Sequence, residues 1–263
     1  MTDSILDIRF KSLLISICLA ILLSTVSYAG MPEGLVLYLS FDDDTNDVIE
    51  DLSGNGNDGE NHGAIPVEGI HGMALEYQGL NTWITVPDTP DLNFGEGESL
   101  TALCWVKTLG PPSGQGNFLA KYAVGAGTTP FYGMFHNATN QVHAYIRDGG
   151  GALVDPWSQD VINDDEWHHL ALVRDTEAGN VYLYVDGNLD FEGADVTGDL
   201  SNDVPLAIGR HTGEFLVGIV DEVMVFRSAL SADEVMASMD PSVFLAIHSS
   251  GKLATTWGQI RSE

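Results

Sequence analysis

The sequence predicts an all-β chain folded as a two-sheet antiparallel sandwich with one short helix near its C-terminal end. Three observations predict it. Residues 167–189, WHHLALVRDTEAGNVYLYVDGNL, carry two apolar arms around a polar turn. Leu170, Leu172 and Arg174 alternate with Ala171 and Val173. After the turn at 177–180, Val181, Leu183 and Val185 alternate with Tyr182, Tyr184 and Asp186. A period of two on both arms, around Gly and Asn, is what a hairpin requires. Similar short apolar runs recur along the chain between Gly-, Asn- and Asp-rich turns, and no long helical period competes with them.

Taken in order, the chain opens with an expected export leader. Arg9 and Lys11 precede an apolar run at 12–26, and Ser27-Tyr28-Ala29 sets small residues two apart, as a cleavage site requires. The run falls short of the roughly 20 residues that span a bilayer. Residues 1–29 are therefore expected to be removed, leaving a secreted, periplasmic or cell-surface protein. No later run is long and apolar enough to cross a membrane.

Strands are expected at 35–41, 74–77, 83–86, 100–108, 118–122, 132–137 and 141–148, then the hairpin, then 205–209 and 218–227. The DLSGNGNDG stretch at 51–59 reads as a loop suited to left-handed backbone. Leu230–Met239 is expected to be helical, with Ser231 as N-cap and Asp233 and Glu234 in the first turn. The expected domain runs from 30 to 240. Past Pro241 no acid occurs until Glu263, so 241–263 reads as a separate, mildly basic tail.

Thirty-eight acids against ten Lys and Arg give a formal net charge of −28. Asp3, Asp7, Arg9 and Lys11 cancel within the leader, so the chain beyond it carries all of the charge. A nucleic-acid partner is excluded, because phosphate recognition needs basic patches. With Cys18 removed, Cys104 has no disulfide partner and reads as a small packed hydrophobe.

Five ordered segments resemble the laminin G-like, concanavalin A-like lectin/glucanase family: 39–42 with 51–57; GMALEY at 72–77; 100–106; 166–174 with 182–187; and 208–209 followed by 215–227 and 230–235. The resemblance covers residues 33–238 and implies a jelly roll of two packed antiparallel sheets.

Asp42-Asp43-Asp44-Thr45-Asn46-Asp47 fails as an EF-hand, since Asp47 stands where Gly is needed and Ser53 where a bidentate Glu is needed. If the first strand neighbours the strand at 218–226, Asp42 or Asp43 approaches Asp221. Loop carbonyls and carboxylates together suit calcium, and the resemblance implies a structural calcium near the first and last strands. The expected ligands are Asp42, Ser53, Asn55 and Asp221. The alternative is a solvated acidic turn.

Catalysis is not expected. Glucanases of this architecture carry Glu-x-Asp-x-x-Glu on one strand, a spacing absent here, and no Gly-x-Ser-x-Gly elbow occurs. His168 and His169 are adjacent in a strand, point to opposite faces and so cannot chelate one ion. His136 and His143 are placed across the 132–148 hairpin on one face. Sugar recognition uses flat aromatic faces and a few polar groups, for which Tyr132, His136, Tyr145, Arg147 and Trp157 are the candidates. Trp157 is expected in a loop, Trp105 and Trp167 in the core, and Trp83 in either role. The chain is thus expected to be an exported, non-catalytic module that binds carbohydrate or an extracellular protein. A glycan hydrolase or lyase of the same fold, or a structural interaction domain, stands as the alternative. Asn137-Ala138-Thr139 is a glycosylation sequon.

Overall fold

The computed structural model describes residues 32–42, 47–79, 81–108, 116–122, 130–136, 139–211 and 214–246. The expected leader, Asp43–Asn46 of the acidic run, Asn137 of the sequon and the chain beyond 246 lie outside the described residues.

Two antiparallel sheets form the sandwich. The first runs in the order Asn188–Ala194, Asn180–Val185, Trp167–Asp175, Leu100–Thr108, Val217–Phe226, Met73–Gln78 and Ile65–Glu68, with Leu35–Leu39 also paired to Val217–Phe226. The second runs Leu153–Val154, Gln141–Arg147, Phe131–His136, Gly116–Lys121, Leu206–Ile208, Trp83–Val86, Gly59–His62 and Val48–Ile49, with Trp157–Val161 also paired to Gln141–Arg147. The predicted hairpin holds its parity. Asp175 pairs with Asn180 and Leu170 with Val185, and Gly179 takes the left-handed conformation at the turn. Leu170, Leu172, Val181, Leu183 and Val185 enter the core, while Ala171, Val173 and Tyr184 cover the opposite face.

The core fills the space between the sheets. Leu37, Leu39, Leu75 and Val106 of the first sheet face Ile84, Phe118, Met134, Val142 and Leu206 of the second. Cys104 is buried there, and burial pushes its thiol well above the ordinary range, so it packs as a hydrophobe.

The outer face of the first sheet is apolar too, and the C-terminal segment covers it. Ser231 caps the helix Ala232–Ala237 through a reciprocal capping box with Glu234. Val235, Leu230 and the fully buried Phe244 then close over Leu103, Met224 and Phe226. The chain thus remains packed on the sheet past residue 240.

Among the described residues the first strand pairs with a strand on one side only. On its other side the loop at 51–57 takes the place of a strand. Asp51 accepts from the Tyr38, Ser53 and Asn57 amides at 2.9, 3.0 and 2.9 Å. Ser53 and Asn57 donate to the Val36 carbonyl, and Asn55 donates to that of Leu35. A buried backbone edge is thereby satisfied without another strand.

Candidate functional site: an aromatic pocket on the outer face of the second sheet

Alternation along two paired strands builds the site. On Gln141–Arg147, Val142, Ala144 and Ile146 face the core, which turns His143, Tyr145 and Arg147 outward. Register pairs His143 with Phe135, Tyr145 with Gly133 and Arg147 with Phe131, so these residues share one outer surface. Phe131, Phe135, His143, Tyr145 and Arg147 line an open pocket of about 370 Å³ together with Tyr122 and Asp155.

The rings in it are ordered against one another. Phe131 and Tyr145 stack at 4.2 Å and 10°, and His143 meets Tyr145 edge-on at 5.2 Å. Trp157 stacks on His143 at 4.4 Å and 22°, and it is still 42% exposed. The site therefore presents a broad apolar wall with an indole at its rim. Asp155 hydrogen-bonds the Nε2 of His143, which fixes the imidazole beneath Trp157. Burial, and next the charge of Asp155, hold the Tyr145 hydroxyl above its ordinary pKa, so it stays a neutral donor and acceptor.

Of the five expected ligand residues, Tyr145 and Arg147 line the pocket, and Trp157 adjoins it through its stack on His143. Trp157 does so from the strand Trp157–Val161, where the sequence suggested a loop. Tyr132 and His136 do not. They take the core-facing parity of Phe131–His136, where Tyr132 donates to the Leu92 carbonyl at 3.1 Å and His136 stacks on Phe118. His136 pairs with Val142, so it cannot share a face with His143. Sequence reasoning missed Phe131, Phe135, Tyr122 and Asp155. Both parities of this strand are apolar or aromatic, so alternation alone does not say which side is out.

Trp83 sits apart, stacked on His62 at 4.6 Å with the Arg210 guanidinium 4.9 Å over its ring. Trp105 is buried and donates to the Met239 carbonyl, and Trp167 is half-buried. His168 and His169 point apart. His168 is held by Asp186 and Asp164 at 2.9 and 3.1 Å, and the Asp186 bond chiefly raises its pKa to about 9. His169 is fully buried, and burial lowers its pKa to about 4.

A second polar cluster lies at the first and last strands, which are neighbours with Leu39 opposite Val223. A β-bulge interrupts the pairing of Val217–Phe226 with Leu100–Thr108 between Asp221 and Met224, and Glu222 adopts φ 51°. Val220 and Val223 both enter the core, so the bulge directs Asp221 and Glu222 to the outer face together. Asp221 accepts from the Ile70 and His71 amides at 3.0 and 3.2 Å, and Asp42 accepts from the Met73 amide at 2.8 Å. Burial raises Asp221 to about 7 and Glu222 to about 8, with nearby Asp42 adding to both. The Glu222 carboxylate is hydrogen-bonded by the Tyr38 hydroxyl, and its Oε2 has no partner among the described residues.

Ser53 and Asn55 are not part of this cluster. They hold the Val36 and Leu35 carbonyls near the opposite end of the first strand. Among the described residues, no three His, Cys, Asp or Glu side chains are arranged to hold a metal ion. Nor is any helix among them long and apolar enough to cross a membrane.

Two packed antiparallel sheets with an open pocket on the outer face of one define a lectin-like jelly-roll sandwich. The chain belongs to the concanavalin A-like lectin/glucanases superfamily, whose laminin G-type model matches residues 78–236, more than half of its length. No curated protein sequence matches it. Among solved structures it is similar to domain 4 of AbnA, a GH43 extracellular arabinanase from Geobacillus stearothermophilus in complex with arabinotriose. That likeness has 19% identity and a TM-score of 0.64, covering 80% of this chain and 100% of that one. The binding domain of Paraclostridial Mosquitocidal Protein 1 is 16% identical with a TM-score of 0.64, over 77% of this chain and 51% of that one. The Botulinum neurotoxin serotype G binding domain is 14% identical with a TM-score of 0.61, over 77% and 50%. The chain thus spans about half the length of these toxin domains. At such identities the likeness is one of fold.

Proposed function

We propose that the protein is an exported, non-catalytic module that binds a glycan through the pocket around Tyr145, Arg147 and Trp157. The observation that carries this reading is the half-exposed Trp157 indole stacked on His143 at the rim of an open, aromatic-lined pocket. A sugar ring lays its C–H face on such a surface, while Asp155, Arg147 and the Tyr145 hydroxyl offer partners to edge hydroxyls. The arabinotriose complex of AbnA domain 4 supports the ligand class on the same fold. Against catalysis, the chain carries neither Glu-x-Asp-x-x-Glu on one strand nor a Gly-x-Ser-x-Gly elbow. The leader expected at 1–29 supports export. A polysaccharide panel tests the reading. Binding that is lost in Trp157→Ala supports it, and release of cleaved product sinks it in favour of a hydrolase or lyase.

A second reading concerns calcium. Glu222 Oε2, without a partner among the described residues, and the neighbouring Asp221 support a cation here, where it would neutralise buried charge and tie the first strand to the last; no third acid among those residues converges with them, so backbone carbonyls would have to complete its shell. Ser53 and Asn55 drop out of the expected set, since both already hold backbone of the first strand. A melting curve with and without chelator tests this: an unchanged midpoint rejects it.

A further inference from the structure

We infer that the glycan taken by this pocket is uncharged: a neutral saccharide, as opposed to a sialylated or uronate-bearing one. The inference rests on the glycan reading above and adds the chemical class of the ligand.

The charge of the chain and the disposition of its few cations carry the argument. The protein has a formal net charge of −28. Among the described residues most cations are already committed to carboxylates. Lys107 pairs with Asp165 at 3.4 Å, Lys121 with Asp88 at 2.8 Å, Arg174 with Asp195 at 2.7 Å and Arg227 with Glu98 at 2.6 Å. Arg210 lies over the Trp83 ring, away from the pocket. Arg147 is the one cationic side chain among the lining residues, and Asp155 lines the same pocket. Their formal charges cancel before any ligand arrives. Asp148, just past the end of the strand, accepts from the Gly198 and Ala152 amides and adds a further negative charge next to Arg147.

An anionic sugar entering here meets a field of one sign from the whole molecule, with no surplus cation at the site to offset it. Such a field slows encounter and weakens the complex, most strongly at low salt. A neutral sugar meets none of this. It needs flat apolar surface and a few donors and acceptors, which Trp157, Tyr145, Asp155 and Arg147 supply. A carboxylate is held most strongly by the bidentate fork of an Arg that no other carboxylate competes for. This pocket offers a single Arg beside an Asp.

The test compares arabinotriose and cellotetraose with 3′-sialyllactose and trigalacturonate, using the purified full chain and calorimetry. Each titration is run at roughly 10 mM and at roughly 1 M salt, between which the screening length falls from about 30 Å to about 3 Å. The expected result is binding of a neutral probe with an affinity that changes by less than about twofold between the two salts. The acidic probes bind at least about tenfold more weakly at low salt, and the gap narrows at high salt. An acidic probe bound as tightly as the neutral ones at low salt, and released by salt, overturns the inference while leaving the glycan reading intact. Failure of every probe overturns the glycan reading and this inference with it.

Discussion

Trp157 and His143 lie face to face across two paired strands, with ring centroids 4.4 Å apart and planes 22° from parallel. The contact makes the imidazole a support for the indole, leaving the outer side of Trp157 to solvent. If this surface is the sugar platform, Trp157→Ala removes it at little cost to the fold, because the side chain is already 42% exposed. The expected loss is about 1–2 kcal/mol of binding, roughly five- to thirtyfold in Kd. The melting temperature should shift by no more than a few degrees. Tyr145→Ala should also weaken binding, since Tyr145 holds the neighbouring wall through its stack on Phe131. Titration calorimetry beside thermal melts separates the two effects. Equal binding by wild type and both variants would place the ligand elsewhere.

A different pair, Arg174 and Asp195, fixes the scaffold. Arg174 is 1% exposed and donates from Nε to Asp195 at 2.7 Å. Its Nη2 donates to the Thr197 and Gly198 carbonyls at 2.7 and 2.8 Å, and its Nη1 to that of Glu98 at 3.2 Å. One planar fork thus ties the hairpin to two loops. Arg174→Met should cost about 3–5 kcal/mol in urea unfolding, because it strands a buried carboxylate and several carbonyls. Arg174→Lys should recover only part, since a point charge cannot span the same acceptors. Glycan affinity of the folded fraction should be unchanged.

The pH dependence of stability has two limbs of opposite sign. Asp221 and Glu222 are raised in the fold from 3.8 and 4.5 to about 7 and about 8 by burial. Their contribution is fully present below pH 4 and is lost as pH rises through 7 and 8. His136 and His169 are lowered from 6.5 to about 4, again by burial. Theirs is present above pH 6.5 and is lost as pH falls through 4. Chemical denaturation across pH should therefore show stability falling at both ends. Asp221→Asn with Glu222→Gln should flatten the alkaline limb. Calcium should do the same in the wild type and have no effect in that double variant. A wild-type alkaline limb that is already flat would show that these acids do not titrate as their burial requires.

Much of the scaffold was legible in the sequence. The 167–189 hairpin declared itself because its inward side chains are aliphatic, apart from the buried Arg174 at the strand's end, and its outward ones include Tyr182, Tyr184 and Asp186. The strand at Leu100–Thr108 and the Ser231 cap were equally plain. Gly59–His62 was not, because GENH has no strand propensity of its own and is ordered by pairing with Trp83–Val86. The pocket was legible only in part. Tyr145 and Arg147 follow from the clean alternation of Gln141–Arg147, whereas FYGMFH at 131–136 is apolar on both parities and gives no sign of which face is out. The bulge at Asp221–Glu222, which puts two acids on one face, breaks the period on which such reading depends.

Phe244 decides what the chain beyond Pro241 does for the fold. Its ring is fully buried and meets Phe226 edge-on at 5.8 Å and 87°. With Leu230 and Val235 it covers Tyr38, Leu103 and Met224 on a face that would otherwise be an exposed apolar patch. Phe244→Ala should therefore cost about 3–5 kcal/mol, the usual range for emptying a buried aromatic site. Truncation after Asp240 should cost at least as much and increase binding of a hydrophobic dye. Urea unfolding of both variants beside the wild type measures this. If truncation leaves the midpoint unchanged, residues 241–246 are an appendage resting on the sheet. If it lowers the midpoint as far as Phe244→Ala does, they are its last structural layer.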